Sequence, residues 1–487
     1  MVGKHGRDRA MLLLVCVAAG ALLACGCTFT LPALATRPLK QTQGAGASTW
    51  SAPSETSTLC STSAAAIAGG VAALALCATA QMVRRTRPVS TGRKVTVARQ
   101  AEFDDVCEET GVTLNRYMLE MSRRGVVDND IESIFNSIRE ASKTIRKLVN
   151  RAPLMQAELL GMEGNVNVQG EDQKKLDVIT NDVLKSALKY TGKLGTIASE
   201  EEDAPVVGSN EEGPDEMTDP LVSDTGKYAV VFDPLDGSSN VDAGIPVGTI
   251  FGVFKEPEED YCDVDPDGDN NLTEEEIACL AQTLQPGTAL VAAGYILYSS
   301  STELVFTIGQ GTVGFTLDQA IGEFVMTRPK IEIPKRGQIY SMNEANIMQW
   351  DEPMRQWIQD IQTGKGETGK KYSQRYIGSM VGDVHRTLLY GGVFAYPCDS
   401  KNKDGKLRLL YEAAPMSFLV EQAGGKSITG HSRVMDIPPV TVHQRVPIIL
   451  GSPEDIDECQ KYYNDSDDET LKARCKARLE GNRTVAA

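Results

Sequence analysis

Asp233 and Asp236 stand three apart in the run Phe232-Asp233-Pro234-Leu235-Asp236-Gly237-Ser238-Ser239-Asn240, directly after a strand-like apolar segment at 227–231. In a turn at a strand end, that spacing lets both carboxylates face one cation, and hard oxygen donors suit Mg²⁺ or Mn²⁺. Gly237, Ser238 and Ser239 then offer unhindered backbone N–H groups at an expected helix start, a cradle for phosphate. An Asp-x-x-Asp pair by itself is commonly just an acidic turn. Joined to Gly-Ser-Ser after a strand, it reads better as a metal and phosphate site.

Three more acidic positions could join it. Ser199-Glu200-Glu201-Glu202-Asp203 closes the apolar segment 194–198. Four adjacent acids usually form a solvated face, but they could equally supply the extra oxygen ligands of a two-metal phosphoryl site. Asp177 follows Lys174-Lys175-Leu176, and Glu412 ends the basic-rich run 406–412. Acids from separated strand ends meeting at one place would fit metal-assisted phosphate hydrolysis.

Rival chemistries fare worse. The chain holds four histidines, and His385, His431 and His443 show neither zinc spacing nor a nucleophile pairing, so structural roles are expected. Gly364-x-x-x-x-Gly369-Lys370 imitates a phosphate-binding loop, but Lys371 stands where Ser or Thr would hold Mg²⁺. Gly425-Lys426-Ser427 fails as well, since Val420 occupies the first glycine position.

These residues need a scaffold. Residues 131–149 place Ile131, Ile134, Phe135, Ile138, Ile145, Leu148 and Val149 at helical spacing after Asp128 or Asn129 as cap. Tyr117, Met118 and Met121 predict a shorter helix before it. From residue 227 onward short apolar strands alternate with Gly-rich turns, and helices return near 350–362 and 411–424. The pattern is mixed α/β with layered sheets.

The 487 residues, 41% hydrophobic and 24% charged, describe a largely globular protein. The net charge of −17 argues against nucleic acid or an anionic membrane as main partner. That average hides a break. Residues 1–100 hold eleven basic and two acidic groups (+9), and the remainder holds 38 basic and 64 acidic (−26). Lys4, Arg7 and Arg9, an apolar run at 10–24 and Ala33-Leu34-Ala35 have the layout of a secretory signal. A Ser/Thr/Ala-rich stretch at 36–62 and a second apolar run at 64–80, closed by Arg84, Arg85 and Arg87, follow. Together they resemble the bipartite leaders that address proteins to algal plastids with extra envelopes. A membrane-anchored secreted protein, or a lipoprotein box at Leu22–Cys25, are the alternatives. Five of the eleven cysteines lie in this leader, and the six beyond it are too few for a disulfide scaffold.

The motifs resemble the fructose-1,6-bisphosphatase family, within the metal-dependent, lithium-sensitive sugar and inositol phosphatases, from about Phe103 to Tyr463. They are GEDQKKLDVITND at 170–182, SEEED at 199–203, FDPLDGSSNVD at 232–242, YIGSMVGDVHRTLLYGGVFAYP at 376–397 and GKLRLLYEAAPMSFLVEQAGG at 405–425. The resemblance implies a layered α-β-α-β-α sugar phosphatase fold. It also implies a leader at 1–98, an N-terminal half at 99–306 interrupted by a redox insertion at 256–285, a sugar-bisphosphate-binding half at 307–465, and a tail at 466–487.

It implies Mg²⁺ (or Mn²⁺) ligation by Glu200, Glu201, Asp233, Asp236, Glu412 and the Leu235 carbonyl. Asp177, with Glu201, would position and deprotonate the attacking water, and a carboxylate held ionised near cations can accept that proton. Asp236, Gly237, Ser238 and Ser239 would hold the 1-phosphate of fructose 1,6-bisphosphate. Asn343, Tyr376, Tyr396 and Lys406 match positions that hold the 6-phosphate and sugar, and Arg375 matches an arginine that reaches a neighbouring subunit's site, as in a homotetramer. Asn167 and Glu171 fall in the family's mobile loop. Two departures stand out. Asn346 replaces a tyrosine of the phosphate pocket, and Gly125–Ile131 lacks the Thr-Gly-Glu pattern of the AMP site, although Lys227 and Tyr228 match part of it. Weak or absent AMP inhibition is expected.

Plastid members resemble this chain in the insertion as well, so the resemblance implies a regulatory disulfide between Cys262 and Cys279, reduced by thioredoxin. Leu284 stands in place of a third cysteine. Between the two lie Asp265, Asp267, Asp269, Asn271 and Glu276, at positions 1, 3, 5, 7 and 12 of a calcium-binding EF-hand loop. Asn270 replaces the turn glycine, and Pro257 and Pro266 oppose an entering helix, so a solvated acidic insertion is the alternative to Ca²⁺ binding. The overall expectation is a plastid, redox-regulated enzyme acting on fructose 1,6-bisphosphate, with no membrane partner once mature. A sedoheptulose-1,7-bisphosphatase, a dual sugar bisphosphatase, and a catalytically idle calcium or redox sensor are the competing readings.

Overall fold

Thr113 opens α1 (Leu114–Arg123) by accepting the Arg116 N–H at 3.4 Å. Leu114, Tyr117, Met118 and Met121 are buried along one face, at the spacing the period of 3.6 demands. Of the two caps considered for the next helix, Asp128 does the work. Its Oδ1 accepts the Asp130 and Ile131 N–H groups at 3.1 and 3.0 Å and starts α2 (Asn129–Arg151). A hairpin of β1 (Met162–Val166) and β2 (Asp172–Lys174) leads into α3 (Lys175–Lys189), which packs along α2. The computed structural model describes residues 111–155, 159, 161–166, 172–202, 204–207, 226–255, 280 and 282–481, all within the unit 94–487.

Eight strands follow: β3 (Leu194–Ser199), β4 (Val206–Val207), β5 (Tyr228–Asp236), β6 (Val247–Lys255), β7 (Leu290–Tyr298), β8 (Thr302–Thr307), β9 (Thr312–Asp318) and β10 (Glu323–Ile331). They form one sheet in the order β10-β9-β8-β7-β6-β5-β3-β4, antiparallel throughout except for the parallel pair β3–β5. Successive side chains point to opposite faces. Val230 and Phe232 join Ile134, Phe135 and Leu184 on one side, whereas Ala229 and Val231 join Val384 and Leu419 on the other. Both faces are covered, which is why these strands read as continuous apolar runs. The division expected between residues 306 and 307 falls inside this sheet. Thr307 ends β8 and pairs with Ala293 and Thr312, so the sheet runs on through β9 and β10 to Ile331.

The rest of the chain builds β11 (Ile339–Ser341), α4 (Glu352–Thr363), β12 (Ser373–Gln374), α5 (Met380–Tyr390), β13 (Val393–Tyr396), β14 (Leu407–Arg408), α6 (Ala414–Gln422), β15 (Lys426–Ile428), β16 (Arg445–Val446), β17 (Ile448–Gly451), α7 (Pro453–Asn464) and α8 (Glu469–Leu479). The second sheet has the order β12-β11-β13-β17-β15. Phe394, Ile448 and Leu450 face α5 and α6, whereas Val393, Ala395 and Ile449 face Trp357 of α4 and Ile456 of α7. The described residues are therefore layered: α1–α3, the large sheet, α5 and α6, the small sheet, then α4 and α7. The expected α-β-α-β-α order holds.

Among the described residues no helix is long and apolar enough to cross a membrane. The leader, most of the acidic segments at 200–219 and 256–276, Cys262, Cys279, the candidate calcium loop (Asp265, Asp267, Asp269, Asn271, Glu276), Asn167 and Glu171 lie outside the described residues.

Candidate active site

The parallel pairing of β3 and β5 brings two carboxyl-terminal strand ends side by side. Ser199 is in register with Phe232, and the Glu200 N–H donates to the Phe232 carbonyl at 3.2 Å, so the acids that follow each strand emerge together. The turn after Ser199 is held from behind. The Ser199 hydroxyl donates to Asn181 Oδ1 at 2.7 Å and the Asn181 amide donates to Glu202 at 2.8 Å. His443 Nε2 meets the Glu202 carbonyl at 2.9 Å.

Beyond Phe232 the pairing of β5 with β6 slips between Asp233 and Asp236, and the chain bends around itself. Asp233 Oδ1 accepts the Leu235 N–H at 2.9 Å, and Thr249 donates to the Pro234 carbonyl at 2.8 Å. Gly237 has φ of +76°, and a Cβ there would lie 2.8 Å from Ser379 Oγ, so both backbone angle and space require glycine. The helix start expected here is a 3₁₀ turn, Ser238–Ala243. Asp236 reaches the amino end of α5, where its Oδ2 accepts the Val381 N–H at 2.9 Å and the Ser379 hydroxyl at 3.3 Å. It serves as a cap supplied from another part of the chain.

Glu412 arrives from a π-helical turn, Leu409–Ala413, between β14 and α6, and its Oε2 accepts the Arg408 N–H at 2.5 Å. Carboxylate oxygens of Asp233, Asp236 and Glu412 all lie within 4.8 Å of one another, and the three residues are 3%, 8% and 3% exposed. Ionised acids this close, this dry, oppose one another's charge. Burial, then Glu200, Asp236 and Glu412, push the Asp233 carboxyl up. Burial lifts Asp236 to about 6 against the Val381 N–H, and lifts Glu412 to about 7 against the Arg408 guanidinium. Asp177, on the first turn of α3, accepts the Lys174 N–H at 3.1 Å and is raised to about 7 by burial and Glu201. Oxygen donors without sulfur or nitrogen, crowded in this way, fit a hard divalent cation of the Mg²⁺ or Mn²⁺ kind.

These groups line a cleft of about 260 Å³. Asp177, Glu200, Glu201, Asp233, Leu235 and Asp236 border it, as do Gly237, Ser238, Ser239, Tyr376, Tyr396, Lys406 and Glu412. Two expected residues are not on its wall. Asn343 caps a 3₁₀ turn, its Oδ1 accepting the Ala345 N–H at 3.2 Å, and Arg375 is exposed and donates to the Gln374 carbonyl at 2.7 Å.

The sequence reading missed Arg408. It is 4% exposed and pairs with Glu200 at 3.1 Å and Glu412 at 4.0 Å, a built-in cation beneath the acids. Its signal was present, since Lys406 just before β14 and Arg408 within it are two apart, but side-chain direction is invisible without the fold. Asp383 was missed too. It accepts the Ile377 and Gly378 N–H groups at 3.0 and 3.2 Å and shapes the loop that carries Tyr376. The three histidines are structural in their contacts: His385 meets the Tyr295 hydroxyl at 2.7 Å, His443 meets the Tyr411 hydroxyl at 2.8 Å, and His431 packs edge-on against Tyr463.

The fructose-1-6-bisphosphatase N-terminal domain matches residues 112–329, and the C-terminal domain of the same family matches 333–464. The chain is 51% identical over 350 residues to the chloroplastic fructose-1,6-bisphosphatase of Spinacia oleracea, covering 72% of this chain and 81% of that one. It is 51% identical over 352 residues to the chloroplastic enzyme of Pisum sativum, covering 72% and 83%. Among solved structures it resembles the holo form of Leishmania major fructose-1,6-bisphosphatase, with a TM-score of 0.64, 40% identity, and coverage of 73% of this chain and 99% of that one. With both domain models matched in order and acids of all five motifs gathered at one cleft, the chain belongs to the fructose-1,6-bisphosphatase family.

Proposed function

We propose that this chain hydrolyses the 1-phosphate of fructose 1,6-bisphosphate in the plastid. The observation that carries the reading is the meeting of Asp233, Asp236 and Glu412 beside the Gly237–Ser239 turn. Glu200, Glu201, Asp233, Asp236, Glu412 and the Leu235 carbonyl would hold Mg²⁺. Bound divalent cations neutralise these acids and polarise the phosphoryl oxygens. Asp177, with Glu201, takes a proton from the attacking water, as a carboxylate kept ionised beside bound cations can. The N–H groups of Gly237, Ser238 and Ser239 hold the 1-phosphate. Tyr376, Tyr396 and the Lys406 ammonium receive the sugar and its 6-phosphate. Arg408 keeps Glu200 and Glu412 in place.

Asn343 belongs to the same substrate set, and Arg375, exposed as it is, suits a homotetramer in which it serves a neighbouring site. Redox control belongs to Cys262 and Cys279 with thioredoxin as reductant. Support comes from the likeness to chloroplastic enzymes and from the other described thiols. Cys398, Cys459 and Cys475 are buried, and burial pushes the Cys398 thiol up to about 12 and raises that of Cys459. Phosphate release from fructose 1,6-bisphosphate and from sedoheptulose 1,7-bisphosphate, with Mg²⁺ and with chelator, tests the proposal. Faster Mg²⁺-dependent turnover of the fructose ester is expected. Preference for the sedoheptulose ester, or no turnover of either, would reject it.

A further inference from the structure

The tail beyond residue 464 lies past both family domains, yet it carries a buried arginine that reaches the loop leading to Lys406. Asp468 accepts the Thr470 and Leu471 N–H groups at 2.9 and 3.4 Å and starts α8. Leu471, Cys475 and Arg478 follow at i, i+4 and i+7, so they share one face, and they are 8%, 9% and 7% exposed. Cys475 Sγ meets Ser432 Oγ at 2.8 Å and docks the middle of the helix. In the last turn Arg478 Nη2 donates to the Lys403 carbonyl at 3.0 Å and to Asp404 Oδ1 at 3.2 Å. Those acceptors are over 70 residues away in sequence, so the arginine is not merely finishing its own helix.

Lys403 and Asp404 sit in the loop between β13 and Lys406. Its first half is tied internally and to a neighbour. Asp399 Oδ1 accepts the Lys401 and Asn402 N–H groups at 2.8 and 2.7 Å, and the Ser400 N–H donates to the Gln349 carbonyl at 2.9 Å. Its last residue, Gly405, has φ of +78° and packs so closely that a Cβ would lie 2.4 Å from the Pro447 nitrogen. Arg478 holds the stretch between these two ties. Lys406 comes next, exposed and on the wall of the cleft. A lysine on a loose loop spreads its charge over many positions, and a fixed loop concentrates it where a phosphate binds.

We propose that Arg478 is a positioning residue for substrate binding: by pinning residues 403–404 it holds the Lys406 ammonium for the anionic, phosphate-bearing end of the substrate. The inference rests on the function proposed above. Its test measures phosphate release from fructose 1,6-bisphosphate by the full chain, wild type and variants, alongside hydrogen exchange of amides 400–406. Arg478→Met should raise KM about 5-fold, the equivalent of roughly 1 kcal/mol at 1.4 kcal/mol per decade, with kcat within about twofold. Exchange at 403–406 should quicken, Arg478→Lys should recover part of the KM, and Lys476→Ala, on the exposed side of the same helix, should change nothing. An unchanged KM in a folded Arg478→Met, or a fall in kcat alone, overturns the proposal. If Arg478→Met does not fold, Asp404→Asn weakens the same contact and carries the same expectations. A wild-type chain with no activity on the sugar would instead reject the function, while exchange would still decide whether Arg478 pins the loop.

Discussion

Asp177 owes its raised pKa to burial and to Glu201, and cations sharing the site would favour its ionised form and offset the Glu201 charge. Asp177→Asn keeps the shape and removes the proton acceptor. It should lower kcat by about 10²- to 10⁴-fold, the usual worth of general base catalysis, with little change in Tm. A residual rate within tenfold of wild type would assign the base elsewhere. Tyr228 makes a second residue-level case. It matches part of the family's AMP site, but here it is 4% exposed and its hydroxyl donates at 2.8 Å to Asp128, the cap of α2. A hydroxyl committed to a helix cap is a poor donor for a nucleotide. Micromolar AMP should therefore leave activity unchanged in a titration of the purified enzyme.

At the scale of elements, the site depends on how strands end. Two parallel strands in register deliver Glu200 and Asp233 to one edge, and the β5–β6 slip turns Asp236 toward α5. Gly237 makes that turn and cannot be replaced cheaply. Gly237→Ala should cost about 1–3 kcal/mol for a left-handed angle and a crowded Cβ. Thermal unfolding should show the loss, and phosphate affinity should fall with it. Helix α2, its cap and the core faces of β5–β9 were legible because period and burial go together. The π turn bearing Glu412 was not, since a local widening of a helix has no signature in composition. Cys262→Ser should give an enzyme active without reductant, and one that still needs reductant would count against the Cys262–Cys279 pair.

For the whole molecule, the buried acids link stability to pH and to metal. Folded Asp236, Asp177 and Glu412 hold protons up to about 6, 7 and 7, above their ordinary values near 4. Between those limits the native state binds more protons than the unfolded chain, so stability falls as pH rises through the window. With chelator present, Tm should therefore drop between about pH 4 and 7 and then level off. Mg²⁺ bound there would replace those protons, so its stabilising effect should grow over the same range. A Tm gain from Mg²⁺ that is equal at pH 6 and pH 8 would contradict this.

Local order determined what the sequence could reveal. The Asp233–Ser239 run, the acids at 177, 200, 201 and 412, and the alternating apolar strands each announce themselves within a few residues. The end of the large sheet at Ile331, the burial of Arg408 under the acids, the absence of Asn343 and Arg375 from the cleft wall, and the reach of Arg478 to Lys403 were decided only by tertiary structure. The physical reason is separation along the chain. Arg408 lies over 200 residues from Glu200, and Arg478 over 70 from Lys403, and only a folded core turns such distances into an ion pair or a hydrogen bond.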